Sequence, residues 1–322
     1  MKRYIIKRLL WLVIVMLGVT FLTFAITSAA PSDAAEMKYL SQGIMPTPEL
    51  LEKTREEMGL NRPLMIRYGL WLKGVLMGNL GESTKFGEPV MTQMLRKLPG
   101  TLKLAGASLV VMLLIAFPLG ILSAVKKNQW VDYIIRFFSF FGVSMPNFWL
   151  ALILMYILAV RLHLFDVVST DSVRGMVMPV LTLSIPMVSG YTRQIRTAIL
   201  EELKSNYVIG ARARGIKERD ILLFHVLPNA IMPIMTLIGL SIGGLLGGTA
   251  IVETIFSWQG IGSMVVEAIR VRDYPLIQGY VIWMALIYVL VNLLVDILGR
   301  VTDPQIRVTE GLDDAGSGRR VK

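Results

Sequence analysis

The chain has 322 residues, a formal charge of +10 and no cysteine, and 54% of it is apolar, above the about 45–50% of soluble domains. Disulfide frameworks and thiolate chemistry are excluded, and with only His163 and His225, far apart in sequence, no metal site and no cofactor are expected. The spacing of charge sets the class. Six runs lack Asp, Glu, Lys and Arg: residues 9–30, 104–125, 137–160, 175–192, 226–252 and 274–295. A helix needs about 20 apolar residues to cross a bilayer, and only helices satisfy their own backbone there. The pattern predicts an all-α polytopic membrane protein with six transmembrane helices.

In chain order, MKRYIIKRLLWLVIVMLGVTFLTFAITSAAP begins basic and ends in small residues, as a signal peptide does. Its uncharged stretch is longer than the about 7–15 residues of a signal core. Residues 1–30 are therefore read as an N-terminus and a retained first helix. A long outer loop, 31–99, follows. In it MPTPELLEKTREEMGL predicts a short helix with Thr47 as N-cap and Pro48 at its first position. The next stretch, LMIRYGLWLKGVLMGNL, puts Leu64, Tyr68, Trp71, Leu72 and Val75 on one helical face, with Arg67 and Lys73 elsewhere. Such a helix lies along the membrane surface or packs on the rest of the loop.

The core, 100–308, carries Pro118, Pro146, Pro179, Pro186 and Pro233 inside or beside its spans, where neighbouring helices can satisfy freed carbonyls. In GLSIGGLLGGT, Gly239, Gly243 and Gly247 recur every four residues, as do Gly244 and Gly248. This ridge permits close helix approach, at an interface near a pathway or within the chain. Glu253 and Asp296 stand at the ends of the fifth and sixth runs. Asp296 and Arg300 are read as an i,i+4 ion pair, with a proton relay as the other option. The polar tail 309–322 is expected to be disordered.

With the N-terminus inside, the inner segments hold nineteen Lys and Arg and the two short outer loops hold four. This is the positive-inside pattern, so the basic surplus sets topology and calls for no nucleic acid. Both termini are then cytoplasmic. No GxxxxGK[ST] phosphate loop, GxSxG or HExxH occurs, so no catalytic residue is assigned, and ATP is not expected to bind by the phosphate-loop route.

One inner loop, 193–229, needs more than topology. NYVIGARARGIKERDILLFHVLPN places Arg212, Arg214, Lys217 and Arg219 within eight residues. Residues 205–214 predict a short helix ended by Gly215 at the left-handed C′ position, and KERDILLFHVLP starts a second. Gly210, Ala211 and Ala213, interleaved with the arginines, suggest a face that docks into a cleft.

The stretch resembles the EAA loop of ABC-importer permeases, in which Ala211 matches the second Ala, Gly215 the Gly, and Leu227 and Pro228 the Leu-Pro. Ile209 stands at the Glu position, Gly210 at the first Ala and His225 at the Ile, and these departures resemble the dipeptide, oligopeptide and nickel permease branch. GVSMPNFWLA, GLNRPLMIRYGLWLKGVLMGNLGES, GGTAIVETIFSWQGIGSMVVEAIRVRDYPLIQG and NLLVDILGRVTDPQIR agree with that branch, over roughly residues 1–308.

The resemblance implies a type I importer permease in a bacterial or archaeal plasma (inner) membrane. Its partners would be the lipid bilayer, a paralogous permease subunit as heterodimer, two cytoplasmic ATPases and an extracytoplasmic substrate-binding protein. Tyr207, Gly210, Ala211, Arg212, Ala213, Arg214, Gly215, Leu227 and Pro228 would form the ATPase-coupling element. Ser144, Met145, Asn147, Gly243, Gly247 and Glu253 are candidates for the pathway, with ordinary helix packing as the alternative. The solute would be a small peptide or nickel, free or chelated; with no cysteine and two distant histidines a peptide is favoured. A stand-alone secondary transporter or channel, and a scaffold without transport, are the competing readings.

Overall fold

The computed structural model describes residues 2–30, 34–40, 43–169 and 171–302. It is helical throughout. Among the described residues the nearest approach to a strand is one antiparallel bridge between Glu82 and Pro89. In chain order the helices are α1 (Lys2–Ser28), α2 (Ala34–Leu40), α3 (Pro48–Glu57), α4 (Leu64–Leu76), α5 (Val90–Val125), α6 (Trp130–Ser144), α7 (Asn147–Leu154), α8 (Val173–Glu202), α9 (Asn206–Ala213), α10 (Glu218–Ile221), α11 (Leu227–Ile255), α12 (Ile261–Arg270) and α13 (Tyr274–Thr302). Wider, π-type turns extend α7 over Met155–Arg161 and join α10 to α11 over Leu222–Val226. The tail 309–322 and the side chains of Asp296 and Arg300 lie outside the described residues.

Among the described residues five helices are long and apolar enough to cross a membrane. The third run, 137–160, is bent: α6 and α7 meet at 104°, and the two pieces together count as the sixth candidate span. Pro146 explains the break. It excludes Met145 from helical backbone, and Met145 is extended at φ −84, ψ 123. α5 begins at Val90, so the outer loop drawn to residue 99 gives way to helix earlier than its charges indicate. Lys97 and Lys103 end the apolar run without ending the helix, because lysine is a good helix former.

Residue contacts divide the chain into two units, residues 1–104, 163–176 and 246–289, and residues 105–162, 177–245 and 290–322. In the first unit α4 packs on α1. Tyr68 shares a hydrogen bond of 3.0 Å with Thr20 and meets Phe21 edge-on, and Trp71 lies 5.2 Å from the buried Phe24. The aromatic face of α4 thus meets the first span, while Trp71 and Val75 also pack on the core that holds Leu80, Val90 and Met94 of the loop segment. Thr47 caps α3 as expected, accepting from the Leu50 N–H. Leu80, Val90, Met94, Ile261, Met264 and Leu276 form this unit's buried core. Asp273 caps α13 through the Leu276 N–H and accepts from the Ser83 hydroxyl at 2.5 Å, which fixes the end of the outer loop.

The second unit is built around Met112, Tyr191, Ile195, Ile199, Val208, Ile221, Val226 and Ile234. A buried carboxylate fastens its helices. Asp132 at the start of α6 accepts from Ser123 Oγ at 2.5 Å, the Asn128 N–H at 3.0 Å, and both Nε and Nη2 of Arg196 on α8 at 2.8 Å. In the glycine ridge of α11, Gly239 makes a tight contact. A Cβ on Gly239 would overlap Val295 of α13, whereas Gly244 has open space around it.

Candidate functional site

The hairpin at 205–229 folds for local reasons. Ser205 is extended at φ −67, ψ 152 and opens α9, its hydroxyl bonded back to the Glu202 carbonyl at 2.6 Å. At the other end Gly215 takes φ +75. The Gly215 N–H donates to the Arg212 carbonyl at 2.9 Å and the Ile216 N–H to the Ala211 carbonyl at 3.2 Å, the paired bonds of a Schellman stop. Nothing lies within 4 Å of a Cβ built on Gly215, so its requirement is for backbone conformation, not space.

α9 has two faces. Val208 and Ala211 are buried in the core formed with Ile221, Val226 and Ala230. Ile209, Gly210, Arg212, Ala213 and Arg214 are exposed. Ala211, grouped in the sequence with the docking residues, therefore seats the helix on its own unit. Gly210 has nothing within 4 Å of its missing side chain, which leaves the outer face flat enough for close approach. Arg212 is braced by Glu218 across the turn, Nε to Oε1 at 2.6 Å and Nη2 to Oε2 at 3.1 Å. In an exposed pair this adds about 0–1 kcal/mol, so its effect is to hold the hairpin's shape. Arg214, the C-cap residue, is a second exposed cation at the end of the helix.

Tyr207 ties α9 to the rest of the unit. Its hydroxyl donates to Glu202 Oε2 at the end of α8 at 2.6 Å and accepts from Asn229 Nδ2 at the start of α11 at 3.2 Å. Burial raises the phenol above its ordinary pKa, and the Glu202 carboxylate raises it further, so it remains a donor at neutral pH. Asn229 also donates to the His225 carbonyl at 2.9 Å. Leu227 packs against the core and Pro228 is exposed. Pro228 has no N–H for the carbonyl four residues back, and the π-type turn stands just before it. Sequence reasoning had included Tyr207 but missed Glu202, Asn229 and Glu218. The only signal for Glu202 and Asn229 was a polar residue closing one helix and opening another.

The expected pathway residues fall in both units, Gly247 and Glu253 in the first and the other four in the second. Ser144 is exposed with its hydroxyl on the Phe140 carbonyl at 2.9 Å. Met145 lines an apolar cavity of about 520 Å³ with Phe138, Phe141, Ile185 and Val188. Asn147 is half-buried at the start of α7, Gly243 is half-buried and Gly247 exposed. Glu253 is 0% exposed. Its carboxylate accepts from Thr101 Oγ1 at 2.6 Å, the Ser263 N–H at 2.8 Å, the Thr249 hydroxyl and the Gly262 N–H. It is a buried brace at the α12 N-terminus. Among the described residues no group of three His, Cys, Asp or Glu is placed to hold a metal.

Long apolar helices, one of them broken, and an exposed helical hairpin between α8 and α11 define a polytopic membrane protein of the transporter-permease class. Residues 116–308 match the family described as binding-protein-dependent transport system inner membrane component, and residues 1–105 match its N-terminal counterpart. The chain belongs to this family, the permease subunits of ABC importers, which are not themselves the catalytic component.

Among its relatives, the oligopeptide transport system permease protein AppB of Bacillus subtilis is 36% identical, over 95% of this chain and 99% of its own. The dipeptide transport system permease protein DppB of Alkalihalophilus pseudofirmus is 34% identical over 95% and 100%. The nickel import system permease protein NikB of Staphylococcus aureus is 33% identical over 94% and 92%. Of solved structures, the inward-facing MetNI methionine ABC transporter matches with a TM-score of 0.53 at 17% identity, over 67% of this chain and 99% of that one. This likeness shows the type I importer permease fold.

Proposed function

We propose that this permease pairs with a paralogous permease and that α9 and its turn seat in a groove of a cytoplasmic ATPase. A binding protein on the opposite side delivers short peptides. The N- and C-termini lie in the cytoplasm, on the same side as the hairpin. The observation that carries the reading is the construction of α9. One face is buried, the other is small and basic, and Tyr207 links it directly to the ends of two long helices. A push on such a helix reaches α8 and α11 together. ATP binding in the partner can then select between two arrangements of the helices. Identity alone does not choose the solute, since peptide and nickel relatives lie within a few per cent of each other. Peptide is favoured because the chain has no cysteine and only two histidines, far apart.

Co-purification tests the coupling role. Arg212→Glu with Arg214→Glu is expected to release the ATPase pair and abolish uptake while the permease stays membrane-inserted. Unchanged partner binding and uptake would refute it, and uptake that persists without any ATPase but collapses with the proton gradient would identify a secondary transporter.

A further inference from the structure

The polar face of α8 is unused by the hairpin. Arg193, Gln194, Thr197 and Glu201 are all exposed, and their spacing of one, three and four residues puts them on one side of the helix. They line a cleft of about 340 Å³ whose other wall is Ala230, Pro233, Ile234 and Leu237 of α11. Arg193 directly follows the uncharged run 175–192. An arginine at the end of a span's apolar run reaches toward the membrane–water interface. Topology accounts for an arginine here, but not for an acid, an amide and a hydroxyl on the same face. Glu202, the second acid at the cleft, is already engaged by Tyr207, whereas Glu201 is an exposed residue.

We propose that this cleft is an exit subsite for a short zwitterionic peptide, with the peptide carboxylate at Arg193 and its ammonium group at Glu201. This rests on the peptide-importer reading and its orientation. The two residues are eight apart on one helix, about 12 Å at a rise of 1.5 Å per residue. An extended peptide covers about 3.3–3.6 Å per residue, so three or four residues match that separation. Guanidinium holds a carboxylate bidentately, and the Ala230–Leu237 wall accepts apolar side chains without selecting among them. The bond from Glu202 to Tyr207 sets the cleft at the base of the coupling helix, so a shift of α9 acts on the cleft that releases the solute.

The test uses the complete reconstituted complex of both permeases and the ATPases, with loaded binding protein at saturation so that its own affinity drops out. Uptake of a free tripeptide, its N-acetyl form and its C-terminal amide is compared. Arg193→Gln is expected to slow the free tripeptide about tenfold, the loss of one charge-assisted hydrogen bond, and to leave the amide at its wild-type rate. Glu201→Gln is expected to act in the same way for the free and N-acetyl forms, and Arg193→Lys to recover part of the rate. Retained ATPase co-purification confirms that the variants are folded. Equal losses on all three peptides, or no loss on any, would overturn the subsite while leaving the importer reading intact. Failure of the wild-type complex to take up any of the three would overturn the peptide reading, and the subsite with it.

Discussion

At Tyr207 one hydroxyl joins three helices, and its neighbours Glu202 and Asn229 have little reason to be there otherwise. Tyr207→Phe removes about 1–2 kcal/mol of hydrogen bonding without touching the outer face of α9. ATPases should stay bound while ATP hydrolysis becomes less well coupled to uptake, measured as solute imported per ATP hydrolysed. Glu253 presents the opposite case. Its place at the end of an apolar run suggested a pathway residue; its partners come from Thr101, 152 positions away in the chain, and from the first turn of α12. No local pattern announces such partners. Glu253→Ala strands several buried donors at about 1–3 kcal/mol each. A loss of about 3 kcal/mol or more is expected, read as a lower unfolding temperature in detergent, with Glu253→Gln intermediate.

At the scale of single elements, α9 and its stop were legible because a glycine at a left-handed position is a local requirement. Gly215→Ala is expected to cost about 1 kcal/mol and Gly215→Asn less, with ATPase affinity falling in the same order in a pull-down. The break between α6 and α7 was half legible. Pro146 announces it, but the 104° bend depends on what the two pieces pack against. The fastening of α6 to α8 was not legible at all, since Asp132 and Arg196 are 64 residues apart. Asp132→Ala leaves Arg196 without its buried partner, a loss of about 3–5 kcal/mol. Because the arginine keeps 17% exposure, the lower end is expected. Adding Arg196→Met should restore part of the unfolding temperature, since an apolar replacement removes the stranded charge.

For the molecule as a whole, the count of basic residues on each side predicts the proposed orientation. A cysteine at Ala213, exposed on α9, should react only with reagent that has access to the cytoplasm. Labelling from outside alone would invert the topology, and with it the sites of the ATPases and the exit cleft. The chain has no cysteine of its own, so this measurement has no background.

The sequence by itself determined the class, the approximate spans and the stop at Gly215. Each follows from composition, from period or from the conformation of a single residue, and none needs a distant neighbour. The tertiary structure alone decided that Ala211 faces inward, that the aromatic face of α4 is used by α1, that Glu253 is a brace and that the polar side of α8 borders a cleft. In each case the answer depends on which chain-distant groups come within hydrogen-bonding or van der Waals reach. Packing sets that, and a linear pattern of residue types does not encode it in any one window.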